Sequence, residues 1–208
     1  MITIKLVGFE EALRTIDPEV AKKAAKAAMD RTAQSGKTTA SEEIRAVWNV
    51  KKSDLDPRIK IYPPRMNDLK AVIEISGKPM SLSYFGAKQI FGGTVRSRVG
   101  KNLKDGKVTR KMRSVGPLPQ GVVVQIMKGK DTVLMRSAFM SKMPKSGHIG
   151  VYRRTGKDRL PIDEKNVISI ASMANRPEVM TAMIKRIQQR WLAEFPHQLK
   201  YYQERGAR

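Results

Sequence analysis

Cysteine is missing from all 208 residues, which excludes disulfides, thiolate nucleophiles, Cys-ligated zinc and iron–sulfur clusters and fits a reducing compartment. Histidine is nearly missing too: His148 and His197 are the only side chains whose ordinary titration lies near neutral pH. Neither has partners at the spacings of a zinc site or of a Ser-His-Asp arrangement. Aromatic residues make up only 6% of the chain. No run approaches the ~18 apolar residues of a membrane span. The opening Met-Ile-Thr-Ile-Lys-Leu-Val-Gly has neither the basic region nor the apolar run of a signal peptide, so a soluble cytoplasmic product is expected.

Acidic residues are scarce against basic ones, 19 against 41, and the difference is the formal net charge of +22. With 40% hydrophobic residues the chain is no disordered basic tail and can bury a core. The length suits a single domain, 1–208, and no internal repeat is visible. Such charge raises the expectation of a polyanionic partner, because phosphate backbones displace the counterions that a cationic surface collects. It specifies no base sequence.

The pattern predicts an α+β fold. It has a small mixed or antiparallel sheet, an N-terminal Ala-rich helix, a long C-terminal amphipathic helix and a basic projecting loop or hairpin. Ile2 to Val7 alternates like an edge strand. Asp17-Pro18 is a helix start, with Asp as the cap and Pro where its missing N–H costs nothing. Val20, Ala24, Ala27 and Ala28 then share a face. Ser35-Gly36 is a weak point before Ile44, Val47 and Trp48 resume the helical spacing, so one soft helix or two shorter ones fit. Ser53 to Pro57 and Tyr62 to Arg65 are connectors. Leu69 to Ile75 has strand composition, and Ser81 to Phe85 is a second strand candidate.

Between about 92 and 118 the composition changes. Arg96, Arg98, Lys101, Lys104, Lys107, Arg110, Lys111 and Arg113 stand against Asp105 alone. Thin alternation on either side of a glycine-bearing tip predicts a projecting hairpin or loop. Its cations repel one another unless salt, acidic protein or polyphosphate screens them. The segment has no aromatic residue for base stacking, so the eight cations are candidate contacts to duplex phosphate without sequence preference. A solvated basic loop is the plainer reading and has equal standing. Val122 to Ile126 and Thr132 to Met135 form a hairpin pattern, Gly150 to Arg154 a further strand, and Val167 to Ile170 a last one. After Asn175, a candidate N-cap, the residues Met180, Ile184, Ile187, Trp191 and Phe195 recur at helical spacing. Pro196 should end or kink that helix and leave a polar, mobile tail at about 198–208. The stripe reads first as core, with Ile187, Trp191 and Phe195 as possible interface residues.

Gly36-Lys37-Thr38 resembles the end of a phosphate-binding loop, but position 31 is Arg31 where that loop needs glycine, and no strand precedes it. Nucleotide binding is rejected there. Asp163 and Glu164 are adjacent and would face opposite sides of a strand, which gives acid–base work by the pair little support. No enzyme activity, cofactor, metal or small-molecule substrate is expected.

The residues from Arg136 to Ile162 carry a resemblance. Phe139 precedes a turn holding Lys145 and Gly147, followed by the strand Val151-Tyr152-Arg153 and the segment Arg159-Leu160-Pro161-Ile162. This series resembles the phage tail proteins typified by the minor tail protein Z of lambda. Loosely, the likeness extends to the Ala-rich helix, the basic middle and the long final helix. It implies a structural virion protein, made in the host cytoplasm, that completes the tail at its head-proximal end. It also implies a homo-oligomeric ring, sixfold in such relatives, around the DNA channel, with tail terminator or tube and neck proteins as partners. The motif residues are expected to build the sheet rather than an active site. The residues themselves leave open a stand-alone nonspecific nucleic-acid-binding protein and, more weakly, a metal-dependent nuclease.

Overall fold

The computed structural model describes residues 8–104, 107–158 and 160–206, with the side chains of 93–104 and 107–119 outside the description. The strand expected at Ile2 to Val7 lies outside the described residues. The fold is α+β, and the chain divides into two compact units: Met1–Met80 with Ile168–Arg208, and the inserted Ser81–Val167. In chain order the elements are α1 (Phe9–Thr15), α2 (Pro18–Val47), α3 (Lys52–Leu55), β1 (Ile59–Tyr62), β2 (Val72–Ile75), β3 (Pro79–Ser81), β4 (Lys88–Lys104), β5 (Lys107–Val124), β6 (Val133–Met135), β7 (Ala138–Lys142), β8 (Ile149–Arg154), β9 (Ile162–Glu164), β10 (Asn166–Ser169), α4 (Ile170–Ala174) and α5 (Pro177–Gly206). The short strands β3 and β10, which carry the chain into and out of the insertion, pair with each other.

The first unit is built on α2 and α5, each 30 residues long. Asp17 caps α2 by accepting the Glu19 N–H at 2.9 Å, with Pro18 in the first turn. Ala21, Ala24, Ala25 and Ala28 are fully buried in a cluster with Met29, Trp191 and Phe195. Alanine keeps the α2 backbone close to its neighbour, and the indole and phenyl rings of α5 fill the remaining space. Gly36 lies inside a single continuous α2. A Cβ there would come 2.9 Å from the Ile187 side chain and 3.1 Å from Ile73 Cδ1, so the weak point in the helical pattern is a packing notch. Asp56 accepts the hydroxyl of buried Ser41 at 2.6 Å, tying the turn after α3 to α2. β1 and β2 pair antiparallel from Ile59↔Ile75 to Tyr62↔Val72.

Several boundaries differ from the sequence reading. β2 occupies only the second half of Leu69 to Ile75, and β1 fills the stretch between the two expected connectors, taking in Tyr62 of the second. Leu82–Phe85 is a 3-10 turn instead of a strand. Leu82 and Phe85 are both buried three residues apart, which is the period of that helix, and Gly86 closes it at φ 67. Asn175 ends α4 and is not the cap of α5. α5 continues through Pro196 to Gly206, past the point where it was expected to stop. Pro196 is on the exposed side, where water can satisfy the carbonyl it frees. Buried Phe195 and Gln198 on either side hold the helix in register.

The inserted unit has two three-stranded antiparallel sheets, ordered β4-β5-β6 and β7-β8-β9. The Gln89 amide joins them: its Nε2 donates to the Gly121 carbonyl and its Oε1 accepts the Met140 N–H, each at 2.7 Å. Gly121 is required by close backbone approach, since a Cβ would lie 2.6 Å from the Met135 carbonyl oxygen. Among the described residues, Leu82, Phe85, Val122, Val124, Ala138, Val151 and Tyr152 are the buried apolar side chains of this unit.

Candidate nucleic-acid interface

The basic segment is one antiparallel ribbon. β4 and β5 pair from Lys88↔Val123 to Lys104↔Lys107, with register shifts at several points. β6 pairs only with Val122 to Val124, so beyond Phe91↔Pro119 the ribbon is two-stranded among the described residues. At roughly 3.3 Å per residue, the 13 steps from Phe91 to Lys104 span about 40 Å. All eight candidate cations are on this ribbon. Arg96 is opposite Ser114, Arg98 opposite Met112, Arg113 opposite Ser97, Lys101 opposite Arg110, and Lys104 opposite Lys107, while Lys111 falls at a register shift. Their side chains lie outside the described residues.

The charge is partitioned along the chain in the same sense. Residues 81–167 contain 19 Lys or Arg and 5 Asp or Glu, a net +14, while the rest contain 22 and 14, a net +8; together they make +22. The inserted β unit therefore has most of the uncompensated charge in fewer than half of the residues.

The motif residues come together on the β7-β8-β9 sheet. Phe139 is the register partner of Tyr152, and Arg154, two residues on, places its guanidinium 5.6 Å from the Phe139 ring centroid. Val151 and Tyr152 are buried, and Arg153 pairs with Ala138 on one side and Asp163 on the other. Lys145 and Gly147 form the turn before β8, where Gly147 has φ 67 and Met143 accepts its N–H at 2.9 Å. Leu160 is exposed, the Leu160–Pro161 peptide is cis, and the Pro161 carbonyl accepts the Thr155 N–H. Ile162 pairs with Arg154, and Arg159 lies outside the described residues.

A polar cluster that sequence reasoning missed is on this sheet. His148 Nε2 is 2.7 Å from Glu164 Oε1, and Ser81 also hydrogen-bonds that carboxylate. Tyr152 and Glu164 are register partners, and Gly150 leaves room for the phenol: a Cβ there would lie 2.7 Å from the Tyr152 hydroxyl. Partial burial pulls the Glu164 carboxyl upward, but the bonds from His148 and Ser81 and the charge of His148 outweigh it and hold Glu164 below the ordinary range. Burial raises the Tyr152 phenol, and the Glu164 charge raises it further. The adjacency of Asp163 and Glu164 was visible in the sequence, but which of them meets His148 depended on strand register. The Glu164 carboxylate thus accepts from both Ser81 and His148. Among the described residues no three His, Asp or Glu side chains gather as metal ligands, and no helix is long and apolar enough to cross a membrane.

The helix residues named as possible interface contacts face inward. Ile187, Trp191 and Phe195 are 8%, 1% and 5% exposed, and Trp191 stacks on Phe195 with centroids 4.7 Å apart. Leu192 and Tyr201 are exposed on α5, nine residues and so about half a turn apart in projection, on opposite flanks of the buried stripe. Beside the rings, buried Glu194 receives Arg31 at 3.0 Å and Arg190 at 2.6 Å. Burial raises its carboxyl, but the bond from Arg31 and the two guanidinium charges prevail and hold it below the ordinary range.

No curated protein and no solved structure matches the chain. A family model described as prophage minor tail protein Z (GPZ) matches residues 6–207, nearly the whole length and both units. A long helical pair, an inserted β unit with the aromatic-turn-strand motif, and a match of that extent show that the chain belongs to the prophage minor tail protein Z family.

Proposed function

We propose that this phage minor tail protein completes the tail at its head-proximal end, assembling as a ring around the DNA channel with the basic ribbon directed at the genome. The observation that carries the DNA-facing part is the β4–β5 ribbon, which gathers eight cations on one extended element within the more basic unit. Several copies around a channel would add their charges and hold duplex phosphate without reading bases. The ring, sixfold by resemblance, needs two different patches per subunit. The exposed side of α5 is one available patch, while the motif sheet from Phe139 to Ile162 serves as scaffold. Tail terminator or tube and neck proteins are the expected neighbours.

The test of the DNA-facing part is to replace Arg96, Arg98, Lys101 and Lys104 with Ser and measure duplex affinity against salt. Removing four phosphate contacts should flatten the slope of log K against log salt by about 3 to 4. An unchanged slope contradicts the assignment.

A further inference from the structure

The register of the outer ribbon carries a consequence beyond the placement of its charge, and it rests on the DNA-facing reading. Lys101 is directly opposite Arg110, and Lys104 directly opposite Lys107. Like charges at directly opposed positions disfavour strand pairing. The same positions are in the part of the ribbon that has only two strands among the described residues, and two-stranded pairing is marginal by itself in water. Between the two cation pairs stand Asn102↔Thr109, a polar pair, and Leu103↔Val108, the one apolar pair of the tip. Two of the four pairs at the tip thus oppose like charges, and one apolar pair is all that offsets them.

We propose that strand pairing at Lys101–Lys104 and Lys107–Arg110 and binding of a duplex phosphate backbone are one linked equilibrium. Phosphate oxygens relieve the opposed cations, so DNA strengthens the pairing, and the paired ribbon binds DNA more tightly than the unpaired one. A two-stranded ribbon has the width that the major groove of a duplex admits, which favours duplex over single-stranded nucleic acid for residues 92–118, which have no aromatic side chain.

Amide hydrogen exchange of the full chain, with and without a 30-bp duplex, reads the pairing directly, and a parallel titration reads affinity. Residues 101–104 and 107–110 should exchange more slowly with DNA, while α2 and α5 serve as the internal control for folding. Lys107→Glu with Arg110→Glu turns both opposed pairs into opposite charges. Exchange there should slow about tenfold without any DNA, as DNA affinity falls. Asn102→Ile with Thr109→Val strengthens pairing and keeps every cation, so it should slow exchange and tighten DNA binding by a similar factor. Wild-type DNA binding with unchanged exchange would overturn the linkage and leave the DNA-facing reading intact. No duplex binding at all would overturn both.

Discussion

At the residue scale, the helical unit depends on a few side chains whose neighbours cannot replace them. Trp191 is stacked between the alanine face of α2 and Phe195, so Trp191→Ala removes a fully buried indole that small residues cannot collapse to fill. A loss of about 3–5 kcal/mol in chemical denaturation is expected, and a stability within 1 kcal/mol of wild type would contradict the packing. Gly36→Val places methyl groups where Ile187 already stands 2.9 Å from an added Cβ, and should destabilise by about 1–3 kcal/mol. Glu194 and Glu164 also set an acid limit. Their folded-state titration is depressed, so the stability they supply is complete above the unfolded carboxyl range and is lost as pH falls through the folded one. Denaturation midpoints should drop with acidification, and Glu194→Gln should reduce that drop while lowering stability at neutral pH. A pH profile identical to wild type would remove Glu194 from the account.

At the element scale, the ribbon is separable in its contribution. Replacing residues 93–118 by a short turn leaves the β5–β6 pairing at Val122 to Val124 and the whole helical unit in place. The shortened protein should keep the helical circular dichroism and thermal midpoint of wild type and lose most of its duplex affinity. Retained affinity would move the DNA contact to another surface. The elements also show what was legible in the sequence. Asp17-Pro18, the apolar stripe of α5 and the thin alternation around the basic tip are local signals, and helix, helix and hairpin stand there. Pro196 misled because tertiary packing of Phe195 and Gln198 overrides a local break. Ile59 and Ile61 alternated as a strand should, but four residues among prolines and charges gave a weak signal. The His148–Glu164 contact was illegible, because it depends on β8 and β9 pairing in a register that no local pattern specifies.

At the scale of the whole molecule, the charge is concentrated in the inserted unit, +14 against +8, the unit that contains the ribbon proposed to face DNA. Family membership covers residues 6–207 and makes the chain a phage tail component, while ring and channel follow from the proposal. The most direct test is the mass of the purified protein by light scattering after size exclusion, across concentration and with and without duplex DNA. The account predicts a discrete oligomer, an integer multiple of the 23.4 kDa chain, that takes up duplex DNA in a salt-dependent way. A protein that stays monomeric at every concentration, with and without DNA, would contradict it.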